Sequence, residues 1–180
     1  CEAADSAGLE LASATRRRQD AVPDPTRTDV RIADKWVAAG RLGRKAGLGW
    51  YSYANDGKAE TDPLVDALIL AEADYAGITR RHYSGDAIVK RLLLAMINEG
   101  ANILFEAIAQ NASDIDLVSV FGYGFPRWRG GLMHYADQLG MAAILAGLKD
   151  VSAEDPHIWQ PSHLILDSVK TGSDFASFQN

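Results

Sequence analysis

Residues 118–141, from Val118 to Met141, constrain the fold of this chain more than any other stretch. Gly122, Gly124, Gly130 and Gly131 permit positive φ or close backbone approach. Pro126 fixes φ and removes a donor. Phe121, Tyr123, Phe125, Trp128 and Tyr135 are interleaved with them, so the segment demands special backbone. Its end, Asp137-Gln138-Leu139-Gly140-Met141, is echoed near the start of the chain by Asp5-Ser6-Ala7-Gly8-Leu9. The echo predicts a duplicated unit, with the chain beginning inside one copy and holding a second copy whole.

The opening residues agree with that expectation. Residue 1 is Cys, and no signal peptide, transit peptide or tag is recognisable. The 180 residues suit one domain, or one and part of another. A net charge of −6 argues against a nucleic-acid binder, which needs clustered Lys and Arg. The longest apolar run, Leu92 to Ile97, is too short to span a bilayer. A single cysteine rules out an intrachain disulfide and agrees with a reducing, cytoplasmic setting.

Periodicity reads as mostly helix. Over 87–110, Val89, Leu93, Ile97, Ala101, Leu104 and Ile108 recur at three and four and predict a buried face. Arg91, Asn98, Asn102 and Glu106 form the opposite polar stripe. A helix over 29–39 places Val30, Ala33 and Val37 on one face and stops at Gly40. One over 63–76 starts at Asp62-Pro63, an N-cap followed by proline, and stops at Gly77. One over 114–121 follows Ser113, with Asp116 three residues later as in a capping box. One over 162–171 lies between Pro161 and Gly172, and further helix is expected at 7–19 and 132–148. Residues 20–28, with Pro23 and Pro25, read as loop. Glycines preclude a helix over 40–61, where Trp50 to Tyr53 suit a short extended segment and Asn55-Asp56-Gly57 a turn. The expected boundary therefore separates an incomplete first unit, 1–61, from a complete second one, 62–180.

Gly40-Arg41-Leu42-Gly43-Arg44-Lys45-Ala46-Gly47-Leu48-Gly49-Trp50-Tyr51 resembles a Gly-Arg-x-Gly-x-Lys-x-Gly-x-Gly-aromatic-Tyr segment of the 3-hydroxyacyl-CoA dehydrogenases. Gly122 to Pro126, Gly130-Gly131 and Asp137 to Gly140 resemble the segment that follows in the second copy of that region, and Asp5 to Leu9 its end in the first. Nearly the whole chain is thus similar to the C-terminal helical region of the multifunctional enoyl-CoA hydratase/3-hydroxyacyl-CoA dehydrogenases of fatty-acid β-oxidation. The resemblance implies an all-α fold of duplicated 6-phosphogluconate-dehydrogenase C-terminal-like units, the first truncated, packed as an imitation of a dimer. It implies a parent enzyme that binds acyl-CoA and uses NAD, with Rossmann and crotonase-fold domains upstream, and it admits a homodimer and a thiolase partner subunit. No Gly-x-Gly-x-x-Gly follows a strand in this chain, so neither NAD binding nor the catalytic His–Glu pair is expected here. The family's supporting Ile-Val-Asn-Arg pattern has a counterpart in Ile88-Val89-Lys90-Arg91. Lysine in place of asparagine implies a structural second unit, and no catalytic, cofactor or metal residue is expected in this chain.

Other residues carry two readings each. Asn98-Glu99 suits an interhelix hydrogen bond better than an acid/base pair. His134 and Asp137, three apart, would make half a metal site without further ligands at useful spacing. Arg16, Arg17 and Arg18 suit a solvated helix end near the negative dipole, or a CoA phosphate. Arg127, Trp128 and Arg129 suit an interface or an anion site. Lys45 suits a loop anchor or a substrate-side contact. A non-catalytic helical dimerisation module is the competing reading of the whole chain. In either case an exposed apolar docking surface is expected around the long helix and the Phe121–Trp128 loop.

Overall fold

The computed structural model describes residues 1–19, 31–54, 56–156 and 158–178. The loop read over 20–28, Val30 and Asn55 lie outside the described residues. The architecture is helical, as the periodicity predicts, and falls into two compact units, Cys1–His82 and Tyr83–Asn180.

The first unit holds helices α1 (Glu2–Ala7), α2 (Leu9–Gln19), α3 (Arg31–Ala38) and α4 (Pro63–Tyr75). The helix expected over 7–19 is α2, which starts at Leu9, and a further short helix, α1, precedes it, the two separated by Gly8 at φ 97°. After α3 the chain passes through one 3-10 turn at Arg44–Ala46. It then enters a small antiparallel hairpin of β1 (Ser52–Tyr53) and β2 (Ala59–Glu60), with Ser52 opposite Glu60. The extended segment expected at 50–53 thus has a partner strand that periodicity over two residues does not reveal. Helix α4 begins as read: Asp62 accepts from Leu64 N at 2.9 Å, and Pro63 occupies the first helical position. The core is Leu9, Trp36 and Val65, with Ile32, Val37, Trp50, Leu68 and Ile69 packed against it. Helix α4 therefore packs within the first compact unit, which ends at His82.

The second unit holds α5 (Gly85–Phe105), α6 (Ala112–Tyr123), α7 (Leu132–Leu139), α8 (Met141–Ser152) and α9 (His163–Thr171). Ile97, Ala101 and Leu104 of α5 are fully buried among Met133, Ile144, Leu148, Ile165 and Phe175. Three readings of the 87–110 stretch are corrected. Val89 and Ile108 are exposed, although they continue the apolar period. Asn98 is buried rather than exposed on the polar stripe, and it makes the hydrogen bond between elements that its type suits: its Nδ2 donates to Gln160 O at 2.9 Å and its Oδ1 accepts from Ser162 N at 2.8 Å. The helix stops at Phe105, not 110, because Ala107 turns left-handed at φ 57°. Ile108 N then donates to Ile103 O, and Ala107 N to Leu104 O, the two bonds of a Schellman closure made without glycine.

Two more boundaries move for similar reasons. The N-cap of α6 is Asn111, which accepts from Asp114 N at 3.1 Å; Ser113 donates to Asn111 instead of capping. The helix expected over 132–148 breaks at Gly140, φ 85°, into α7 and α8.

Candidate functional site

The glycine loop of the first unit is built on one buried carboxylate. Asp5, 1% exposed on α1, accepts from Trp50 N at 2.9 Å, Tyr51 N at 3.1 Å and the Tyr53 hydroxyl at 2.9 Å. The loop must come very close to do this. A Cβ on Gly43 would lie 2.4 Å from Asp5 O, and one on Gly49 would lie 2.2 Å from Asp5 Oδ1. Arg41 locks the same loop from its other side. Its Nε donates to Gly49 O at 3.0 Å, its Nη2 pairs with Asp62 at 2.7 Å, and its guanidinium lies 4.7 Å over the Trp36 ring. The Leu64 backbone N–H, and then Arg41, hold the Asp62 carboxyl below its usual range.

Lys45 stands on this loop with its ammonium paired to Glu10. That contact, first as a hydrogen bond and then as a charge, lowers the Glu10 carboxyl. The lysine is exposed, so it ties the loop to α2 at the surface. Arg16 pairs with Asp34 at 2.6 Å and lowers that carboxyl, while Arg17 and Arg18 face solvent.

Tyr53 titrates high, at about 12, because burial disfavours its phenolate and the Asp5 carboxylate accepts a hydrogen bond from its protonated hydroxyl. The folded value lies above the ordinary 10.0. The phenol's contribution to stability is therefore whole below pH 10 and is lost as pH rises through about 12. Tyrosinate absorbance followed against circular dichroism should show the first unit loosening in that window. Tyr53→Phe should remove this part of the alkaline transition.

The second unit repeats the carboxylate device. Asp137 on α7 accepts from Phe175 N at 2.9 Å and Ala176 N at 3.0 Å and so holds the segment after α9. Burial raises its carboxyl, against the lowering effect of those two N–H groups. A second carboxylate, Asp116 on α6, caps α7, whose own N-cap Gly131 has no side chain to offer. It accepts from Met133 N at 2.6 Å and His134 N at 3.2 Å, a favourable place for negative charge at a helix N-terminus. Ser119 joins this corner, accepting from Leu132 N at 3.2 Å.

A cleft of about 600 Å³ lies here, lined among others by Asn111, Ser113, Asp116, His134, Asp137 and Phe178. His134 and Asp137 do share it, but both aspartates already accept backbone N–H groups, and the His134 ring meets Gln138 at 3.0 Å. Among the described residues no group of three or more His, Cys, Asp or Glu is arranged to hold a metal ion.

Arg127, Trp128 and Arg129 form one 3-10 turn after α6. The Arg127 guanidinium lies 5.1 Å over Phe121, and that of Arg129 lies 4.7 Å from Trp128 and 4.2 Å from Tyr135. Trp128 is 80% exposed. Lys90 is exposed and stands 3.5 Å from Asp150.

The residues present do not suit a dinucleotide. Gly43 and Gly49 give close approach to Asp5 rather than to a pyrophosphate, and among the described residues the two strands of this unit, each two residues long, both follow them. Lys45, paired with Glu10, and the Arg127–Arg129 turn lie in different units. Sequence reasoning missed Asp5, Arg41 and Asp116. The Asp5/Asp137 echo was the available signal for the first, and it marks the anchoring carboxylate itself.

No protein-family model matches the chain. The peroxisomal bifunctional enzyme of Danio rerio is 36% identical over 94% of this chain and 26% of its own length. The human enzyme of that name is 35% identical over 79% of the chain and 20% of its own length. The fatty acid oxidation complex subunit alpha of a Pseudomonas savastanoi strain is 30% identical over 85% of the chain and 21% of its own length. Among solved structures, the dehydrogenase part of multifunctional enzyme 1 from C. elegans covers 91% of the chain with 37% of its own, at a TM-score of 0.66 and 20% identity, a likeness of fold. Among the described residues no helix is long and apolar enough to cross a membrane. The chain spans about a quarter of the first of these curated relatives, and it is a homologue, over that stretch, of the peroxisomal bifunctional enzymes and the fatty acid oxidation complex alpha subunits.

Proposed function

We propose that the chain is the helical part of a bifunctional enoyl-CoA hydratase/3-hydroxyacyl-CoA dehydrogenase, which oxidises (S)-3-hydroxyacyl-CoA to 3-ketoacyl-CoA with NAD in fatty-acid β-oxidation. The observation that carries the reading is 36% identity to a peroxisomal bifunctional enzyme across 94% of the chain. The work of this part is packing and support. Hydride transfer and acid–base chemistry belong to a Rossmann domain, and hydration to a crotonase-fold domain, both outside these residues. Lys45 and the Arg127–Arg129 turn are then interface or substrate-side groups. A thiolase subunit is a further partner of such an enzyme.

The reading includes a tandem duplication, with residues 1–61 closing one copy and 62–180 forming the next. Three spacings support it. Asp5 and Asp137 differ by 132 positions, as do the helix-breaking Gly8 and Gly140 and the left-handed Gly40 and Gly172. In both copies the first aspartate accepts two successive backbone N–H groups beyond the second of these glycines. The name of the Danio relative gives a peroxisomal compartment, whereas the lone cysteine carried the cytoplasmic expectation. Imaging of the tagged full-length protein decides between them.

The reading frame should continue upstream of residue 1 through a dinucleotide fingerprint, and the full-length protein should reduce NAD with a 3-hydroxyacyl-CoA. The 180-residue chain alone should neither produce NADH nor bind it at micromolar concentration by calorimetry. Saturable NADH binding by the chain alone would overturn the assignment of the chemistry to other domains. A start codon close to residue 1 would favour the dimerisation module.

A further inference from the structure

The outward face of α6 has a composition that fits its own image. Asp114, Leu117, Val118 and Phe121 recur at three and four on one stripe, and the three apolar residues are 57%, 56% and 69% exposed. Beside them runs a groove lined by Leu117, Val120, Phe121 and Arg127, with a cavity of about 530 Å³. A cation closes one end of the stripe, the Arg127 guanidinium 5.1 Å above the Phe121 ring. An anion, Asp114 in the first turn of α6, closes the other.

We propose that this face is an isologous contact, and that its occupant is α6 of a second copy of the chain, running antiparallel. A two-fold axis passing between Leu117 and Val118 sets residue 114 of one copy opposite residue 121 of the other. Asp114 lies seven residues from Phe121, roughly 10 Å along the helix. The same operation therefore brings each Asp114 to the Arg127 that covers the partner's Phe121. Two ion pairs then flank an apolar centre, and every contact is made twice, as a two-fold interface requires. Antiparallel helices also oppose their dipoles favourably. The apolar stripe with the exposed Trp128 offers on the order of 400 Å² per copy, about half of what each partner buries in a standard-size interface. Pairing is accordingly concentration-dependent rather than permanent.

The contact rests on the surface chemistry of the second unit alone. Its failure leaves the dehydrogenase reading standing, since that reading is tested by activity and reading frame. Sedimentation of the 180-residue chain from low to high micromolar should show a monomer passing to a dimer, with circular dichroism confirming that each variant folds. Asp114→Lys and Arg127→Glu should each weaken the dimer by about 10-fold or more, because each replaces two attractions by two repulsions. The double variant, in which the charges are exchanged, should recover to within a few-fold of the original. Phe121→Asp should abolish pairing. A monomer throughout the range overturns the proposal and points to a different protein on this face. A dimer indifferent to the charge reversals, or to Phe121→Asp, overturns it equally.

Discussion

Asp5→Ala should unfold much of the first unit's loop, with an expected loss of about 3–5 kcal/mol in chemical denaturation. The carboxylate is 1% exposed and is the acceptor for Trp50 N, Tyr51 N and the Tyr53 hydroxyl. Alanine leaves all three donors without it. Each buried donor left unsatisfied costs about 1–3 kcal/mol, less whatever water recovers by entering. The site gives water little room, since Gly43 and Gly49 already lie against Asp5. Asp5→Asn is the informative companion. It keeps one acceptor oxygen but turns an N–H₂ toward donors, so it should retain only part of the stability. If both variants melt like the parent chain, the carboxylate does not hold the loop.

Phe175→Ala should cost the second unit about 3–5 kcal/mol. The ring is fully buried in the core formed by Ile97, Leu104, Met133, Ile144 and Leu148, and truncation removes its transfer energy and leaves a cavity. Its backbone N–H is one of the two that Asp137 accepts. The same substitution should therefore also raise amide exchange at Phe175 and Ala176. In a unit of this size a loss of that kind lowers the melting temperature by roughly 4–8 °C per kcal/mol. A Phe175→Leu variant should recover more than half of the loss.

The helical class, the cap at Asp62-Pro63 and the stop at Gly172 could be read from residues alone, because each is a local preference that the surroundings do not oppose. The buried run Ile97, Ala101 and Leu104 was legible for the same reason. Val89 and Ile108 were not. Periodicity marks a stripe that is apolar, but burial depends on a neighbouring element, and the described second unit supplies none at those two positions. Asn98 was readable as a hydrogen-bonding residue between elements but not as a buried one, because its partners Gln160 and Ser162 lie more than sixty residues away. Ala107 hid a helix end because it takes a conformation that usually announces itself as glycine. Of the candidate site, Lys45 and the Arg127–Arg129 turn were visible as charges and rings. The carboxylates that position their loops were not, since an aspartate inside a helix looks like a solvated one until its acceptors' distant donors are known.

The spacing between each anchoring aspartate and the N–H groups that it accepts has a consequence for how such units change length. Asp5 reaches Trp50 across 50 − 5 = 45 positions, and Asp137 reaches Phe175 across 175 − 137 = 38. The carboxylate recognises two adjacent backbone groups and is indifferent to the residues that carry them, Trp-Tyr in one place and Phe-Ala in the other. On the proposed duplication, seven positions have been gained or lost before the anchored pair while the clasp stays the same. Length variation should accumulate between the last helix and the anchored pair, and the dipeptide itself should tolerate changes of side chain far better than a shift of register by one.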